Sequence, residues 1–345
     1  MRGNRTYLTT GRFWRVMSLG FVVWLVAGVA CLFFGQTAIA PGHIAVALTG
    51  GEVPLSEADV ILMQRVPRIA LGLLAGGGLA LAGAVFQALL RNPLATPHTL
   101  GVSAGGALGA ALALSLGLSA PSLGPVPLGP VQFFALAGAM VNMGIIYAFA
   151  RRRGAVSPLM LLLAGVTLAL VCSALIMFVR FISAPDKLVM VDRWLMGGLD
   201  VHGYRSLAGV LPLFLPALVL MVCEANALNQ LTLGEEMAGA RGVNVTAVQT
   251  EAFLAGSILT ASVVSVAGPI GFVGLIVPHA VRAVAGPDHR LLLGLSFFGG
   301  GAFLAAADTV ARSAFAPSEL PVGVLTAMLG GPFFLVLLLR RAEEL

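Results

Sequence analysis

The chain has 345 residues, 58% of them hydrophobic and 10% charged, with a mean hydropathy of +0.97. A soluble domain carries about 25% charged residues, and a compact body of this size leaves too much surface in water to hide such a composition, so a water-soluble fold is excluded. The formal charge of +5 and the pI near 9.7 would suit nucleic acid, but the arginines sit at the ends of apolar runs rather than in a stripe. The positive-inside rule explains that placement and removes nucleic acid from the partners.

Apolar stretches of the roughly 20 residues that cross a bilayer as helix recur along the chain. The first lies near 14–35 and follows Arg2, Arg5, Arg12 and Arg15. With Ala38-Ile39-Ala40 it resembles a secretory signal, but the uncharged run from Val16 to Gly35 outlasts the roughly 7–15 residues of a signal core, so a retained span is expected over cleavage. The next span is 69–90, and the absence of charge between Arg91 and Arg151 leaves room for two more, 99–119 and 131–150. Between them "PSLGPVPLGP" (121–130) is a rigid turn that cannot continue a helix.

Arg151–Arg153 precede a span at 158–181, and 183–205 forms an outer segment with a short amphipathic pattern. After 206–223 comes 225–244, the longest polar stretch predicted on the inside. Residues 245–285 read either as one long span or as two, 245–267 and 270–285, broken at Gly268-Pro269. Spans at 291–311 and 321–339 lead to Arg340–Arg341. Both ends are arginine-rich and so both are expected in the cytoplasm, which requires an even number; ten is the count. The predicted fold class is an all-α polytopic membrane protein forming a single permease domain over 1–345.

Catalytic groups are sparse. His43, His98, His202, His279 and His289 are scattered, with no i, i+4 pair beside a carboxylate. Cys31, Cys172 and Cys223 lie in apolar runs and read as packing residues, not as a disulfide or a metal site. Asp308 is the one acid well inside a span; Arg312, a turn away, could pair with it, against a functional role for an intramembrane acid. No acidic dyad or proton-relay chain accompanies it, which argues against an intramembrane enzyme and against an ion-gradient-driven secondary transporter, the alternative function. A single lysine, Lys187, stands in an outer loop, so no G-x-x-x-x-G-K-[ST] phosphate loop exists here, and any ATP that drives transport has to be bound by another chain.

The stretch "RNPLATPHTLGVSAGGALGA" (91–110) breaks helix with two prolines and then starts a run of small residues. Gly268–Pro278 interrupts the other half of the chain in a similar way. Paired interruptions are what an internal transporter repeat leaves in sequence, and broken helices are tolerated in membranes only where protein or water satisfies the freed backbone. Both are also readable as plain tight turns.

Residues 65–110, "RVPRIALGLLAGGGLALAGAVFQALLRNPLATPHTLGVSAGGALGA", resemble the signature of the FecCD-type permeases, membrane subunits of bacterial ATP-binding-cassette importers for iron-siderophores, haem and cobalamin. "LLLAGVTLALVCSAL" (161–175), "RWLMGG" (193–198), "SVAGPIGFVGLIVPHAVR" (265–282) and 288–339 are similar to the same family in order and spacing. The resemblance implies a ten-span type II importer permease that works as a dimer in the bacterial inner membrane. Its implied partners are a second permease copy, ABC ATPase subunits that use ATP and Mg, and a periplasmic or lipid-anchored binding protein; no cofactor or metal is bound by the chain itself.

The resemblance also assigns residues. Arg65, Arg68 and Arg312 at the outer face would meet acids of the binding protein, against local pairing with Glu57, Asp59 or Asp308. Leu233, Gly234, Glu235, Glu236, Ala240, Arg241, Gly242 and Val243 would form the coupling elbow for the ATPase, against a solvated helical turn; the family commonly has leucine-glycine where this chain has Arg241-Gly242. Spans 158–181 and 321–339 would line the path, with Ser157 at an inner constriction and Pro158 departing from the small polar residues usual there. Gln87, Arg91, Asn92, Pro93, Gly101, Ser103, Gly271, Gly274, Pro278, His279 and Arg282 match the family's structural motif. Iron chelates are its commonest cargo and are the expected substrate.

Overall fold

The computed structural model describes residues 9–119, 128–152, 155–314 and 318–342. Arg2, Arg5, Arg153, most of the turn 121–130 and the side chains of Arg340 and Arg341 lie outside the described residues.

The chain starts with α1 (Thr10–Leu32), where the Thr9 hydroxyl accepts from the Arg12 N–H at 3.3 Å and satisfies one of the free amides of the first turn. Two short helices follow, α2 (Pro41–Leu48) and α3 (Leu55–Asp59). α3 runs through a π-helical turn, Val60–Arg65, straight into α4 (Val66–Leu89), making one rod of 35 residues. α5 (Val102–Leu116) and α6 (Pro130–Ala150) come next, and Arg151–Arg152 pairs antiparallel with Ala155–Val156 before α7 (Pro158–Ile182). The outer segment holds α8 (Pro185–Leu195), and α9 (Arg205–Cys223) leads to the short α10 (Ala225–Leu231) and α11 (Glu235–Ala240). α12 (Val245–Ala267), α13 (Val273–Ala285), α14 (His289–Ala314) and α15 (Val322–Ala342) complete the fold.

Seven described helices are long and apolar enough to cross a membrane, and three shorter apolar ones, α5, α13 and the Val322–Leu337 part of α15, bring the number to ten. At 1.5 Å per residue α5 and α13 extend only about 20 Å, short of the roughly 30 Å hydrocarbon core. Both are shortened at their starts by a left-handed residue, Gly101 (φ 74) and Phe272 (φ 67). Residues 245–285 are thus two helices: α12 stops at Ala267, Gly268 takes a φ of 67, and irregular chain leads to α13.

The helices differ sharply in burial. In the α3–α4 rod 89% of the apolar window is buried, against 11% in α1 and 17% in α7, so α4 is the axis and α1 and α7 face outward. Small residues make this possible, because helices in lipid associate through close contact rather than hydrophobic drive. α14 lies so near α4 that a Cβ on Gly76 would run into the Gly300 carbonyl, and one on Gly300 would meet Ala80.

Candidate functional site

Three places bring the singled-out residues together: an outer rim, an inner elbow, and a cavity between the two helix interruptions.

The outer rim forms where the π turn feeds α4. Arg65 donates from Nη1 to the Leu32 carbonyl at 2.8 Å and from Nη2 to the Thr37 carbonyl. Arg312, on α14, reaches the Cys31 carbonyl at 3.3 Å. α1 ends with no basic residue in its last turn, so two arginines from other helices supply the cations that its free carbonyls and negative dipole end attract. Three residues beyond Arg65, Arg68 makes a two-pronged bond to Asp308, Nε to Oδ2 at 2.8 Å and Nη2 to Oδ1 at 2.9 Å. Its Nη1 meets Glu319 at 2.9 Å and Asp200 at 3.2 Å.

These contacts correct one expectation and extend another. Arg65 and Arg312 are 3% and 5% exposed and the Arg68 side chain 12%, so none of the three is presented to a partner in this conformation; each is drawn inward by carbonyls or a carboxylate. Asp308 binds Arg68 by hydrogen bonds and forms a longer ion pair with Arg312, whose Nε stands 3.9 Å away without a hydrogen-bond partner. Glu57 and Asp59 are taken up elsewhere, by His43 at 2.7 Å and Gln64 at 3.3 Å. The charges that do face outward on this rim are Arg193, bound to Asp200 at 3.0 Å, and Asp200 and Glu319 themselves. Nothing in their spacing distinguished Asp200 and Glu319 in the sequence; both lie in loops that only the fold brings to Arg68.

The inner elbow consists of α10, α11 and their flanks. Glu235 and Glu236 occupy the first turn of α11, where the helix dipole favours negative charge. Ala238 is buried and anchors the helix, while Leu233 and Met237 are apolar yet 52% and 51% exposed. Arg241 donates to Gln230 at 2.6 Å, so the arginine that departs from the family pattern ties α11 back to α10. Gly234 and Gly242, at positive φ, bracket α11, with Ala240 exposed and Val243 half-buried at its end. Glu235 also takes the Arg91 guanidinium at 3.0 Å and Gln249 at 3.2 Å. Ser157 caps α7, accepting from the Met160 N–H at 3.4 Å, with Pro158 in the first turn where no N–H is needed. A cavity of about 350 Å³ is lined by Arg91, Asn92, Ser157, Pro158, Leu162 and Glu235. Ser157 and Pro158, the Arg91 turn and the elbow therefore share one small space.

The motif residues fasten the interruptions to each other. Arg91 adopts a φ of 47, and Asn92 closes the turn by accepting from the Leu94 N–H at 3.0 Å, with Pro93 between them. Gln87 donates to the Gly274 carbonyl at 3.1 Å and accepts from Arg282 at 3.0 Å. A Cβ on Gly83 would collide with the Gly274 backbone, and one on Gly274 would stand 3.1 Å from Pro97. Asn142 donates to the Gly101 carbonyl at 2.5 Å, Ser103 and Pro278 are buried, and His279 meets the Phe333 ring edge-on at 5.8 Å. Gly271 borders a cavity of about 780 Å³ walled by both interruptions and α15, including Thr96, His98, Phe272, Leu275 and Met328. Phe272, left-handed without being glycine, fits its ring against Gly330 of α15. No sequence signal pointed to it. Among the described residues no cluster of His, Cys, Asp or Glu could hold a metal ion.

Ten apolar rods among the described residues, with α4 buried among the other nine, two broken helices meeting at a cavity and an exposed inner elbow define a multi-pass membrane permease. Residues 23–340 match the FecCD transport family, and the chain belongs to that family. It is 41% identical to the cobalamin import system permease protein BtuC of Halobacterium salinarum, over 84% of this chain and 76% of that one. It is 40% identical to the hemin transport system permease protein HmuU of Yersinia pestis, over 81% of this chain and 83% of that one. Among solved structures it resembles an inward-facing conformation of a metal-chelate type ABC transporter, with a TM-score of 0.81 and 30% identity over 94% of this chain and 99% of that one. The fold is that of a type II ABC importer permease.

Proposed function

We propose that this chain is the membrane-spanning permease subunit of an ATP-binding-cassette importer and moves a metal chelate into the cytoplasm by ATP-driven alternating access. The observation that carries the reading is the inner elbow. Exposed Leu233 and Met237 flank the acidic start of α11, and Glu235 reaches both the Arg91 turn and the cavity at Ser157 and Pro158. Apolar side chains half exposed on a short, anchored helix suit a partner surface better than water. The chain holds no phosphate loop, so ATP and Mg belong to the ATPase subunit that this elbow would meet.

At the outer face a binding protein would dock on the exposed charges around Arg193, Asp200 and Glu319, with Arg65, Arg68 and Arg312 holding that rim in shape. Complementary charge of this kind steers docking more than it adds affinity. A second copy of the permease would cover the outward apolar faces of α7 and α15, with the path between them, both termini in the cytoplasm and the bacterial inner membrane as the setting. The 780 Å³ cavity has no charged side chain in its lining, which supports a bulky chelate whose metal charge is shielded; iron-siderophores, haem and cobalamin all belong to that class. Secondary transport finds no support, because the buried acid Asp308 is held by Arg68 at the rim.

The test is association. Wild-type permease should retain its ATPase subunit on purification, and Leu233→Asp with Met237→Asp should lose it while the permease itself stays folded. Retention of the ATPase by the double variant would contradict the assignment of the elbow.

A further inference from the structure

A pull on the elbow reaches the membrane helices through the chain itself, through the packing of Leu228, Leu231 and Ala238 into the core, and through side-chain bonds to other helices. Three such ties exist among the described residues. Glu235 makes two, to Gln249 of α12 at 3.2 Å and to Arg91, a pair whose side chains are 42% and 45% exposed; pairs in such contact with water hold weakly. The third is Asn229 on α10. Its Nδ2 donates to Asp288 Oδ1 at 2.8 Å, and its Oδ1 accepts from the backbone N–H of His289 at 2.9 Å and from His289 Nδ1 at 2.8 Å. The carboxylate neighbour orients the Asn229 amide, which in turn places the His289 proton on Nδ1.

The Asn229 tie is partly buried. His289 is 4% exposed, and Asp288 is held from its far side by Arg290, Nε to Oδ2 at 3.1 Å, while it also accepts the Arg290 N–H at 3.0 Å as the cap of α14. The His289 Nε2 is buried without a hydrogen-bond partner, so breaking the Asn229 bonds would leave the imidazole wholly unpaired, which costs more than the loss of a solvated pair. Asn229 therefore fastens the elbow to the first residues of α14. That helix has 26 residues, about 39 Å at 1.5 Å per residue, and carries Asp308, the partner of Arg68, near its outer end. One rigid element thus joins the face assigned to the ATPase with the face assigned to the binding protein.

We propose that Asn229 is a positioning residue that locks the inner elbow to the start of α14, so that elbow, α14 and Asp308 at its outer end move as one body. The proposal rests on the importer-permease reading and gives it a route: a rigid element biased from both ends is the physical requirement for coupling two distant sites.

The experiment uses the complete transporter, permease with ATPase and binding protein, in proteoliposomes offered haemin, cobalamin or a ferric hydroxamate in turn. Asn229→Ala should raise the ATP hydrolysed per molecule taken up about tenfold, within the usual range of coupling between sites. The exchange N229D/D288N, in which carboxylate and amide change places, should return the ratio toward wild type. A role in stability alone would lower hydrolysis and uptake together and leave the ratio unchanged, which would overturn the proposal. A second measurement keeps Asn229 in place: with Cys31, Cys172 and Cys223 replaced by alanine, spin labels at Asn226, exposed on α10, and Val310 should keep their distance across nucleotide states, whereas labels at Asn226 and His98 should not. The opposite pattern would overturn the clamp. A wild-type transporter that takes up none of the three with ATP would remove the importer reading itself, and the clamp with it.

Discussion

The outer rim and the inner elbow are built on opposite plans. At the rim the charges are buried and saturated: Arg68 serves Asp308, Glu319 and Asp200 at once, and Arg65 and Arg312 close the end of α1. At the elbow the charges stand in water, the helix is six residues long, and two apolar side chains look outward. A buried ion pair is a poor place for a transient partner, because uncovering it exposes the cost of an unpaired charge; an exposed, lightly tethered helix is a good one. The rim is scaffold, with contact left to its outermost charges, and the elbow is interface.

Breaking each plan should therefore have different consequences. The largest loss of stability is expected for Arg68→Ala, which leaves Asp308, 2% exposed, buried with only the distant Arg312 at 3.9 Å; about 3 kcal/mol should go, read as a lowered midpoint of thermal unfolding in detergent. Adding Asp308→Asn should recover part of it. Gly83→Val is next, because a side chain there falls on the Gly274 backbone, and overpacking of this kind costs about 1–3 kcal/mol by the same measurement. At the elbow, Glu235→Gln removes a solvated pair and should change the midpoint by less than about 1 kcal/mol. A rim variant as harmless as the elbow variant would erase the contrast.

The smallest effect is one of pH. Arg290 holds the Asp288 carboxyl down from 3.8 to about 2, with Asn229 helping. A carboxyl depressed on folding adds stability that is fully present above its unfolded value and is lost as pH falls through the folded one. The contribution of Asp288 should thus be intact at neutral pH and disappear between about pH 4 and pH 2. The carbon resonance of a labelled Asp288 side chain, followed by NMR, should titrate near pH 2; a midpoint near 4 would show that Arg290 does not reach it.

How far this could be read from the sequence differs by residue. Apolar runs and arginine placement were enough for a polytopic helical protein, since bilayer thickness and charge asymmetry act on the chain locally. The broken stretches at 91–101 and 268–278 were visible because proline and glycine mark them. What they do together was not, because the Gln87–Gly274–Arg282 bridge joins residues nearly 200 positions apart. The rim shows the same limit from the other side. Arg65, Arg68 and Arg312 stand out as outer cations, but whether a cation faces a partner or a carbonyl depends on the end of α1 and on Asp308, which only packing brings near. Asn229, an ordinary polar residue in the polar stretch 225–244, gave no sign at all.

The central claim is that the chain is a conduit whose energy arrives through the elbow from another protein. Uptake of chelate into proteoliposomes, with the permease and binding protein present and the ATPase subunit either included or left out, tests it most directly. The account predicts accumulation only when the ATPase and ATP are both present. Accumulation by the permease without the ATPase would contradict it.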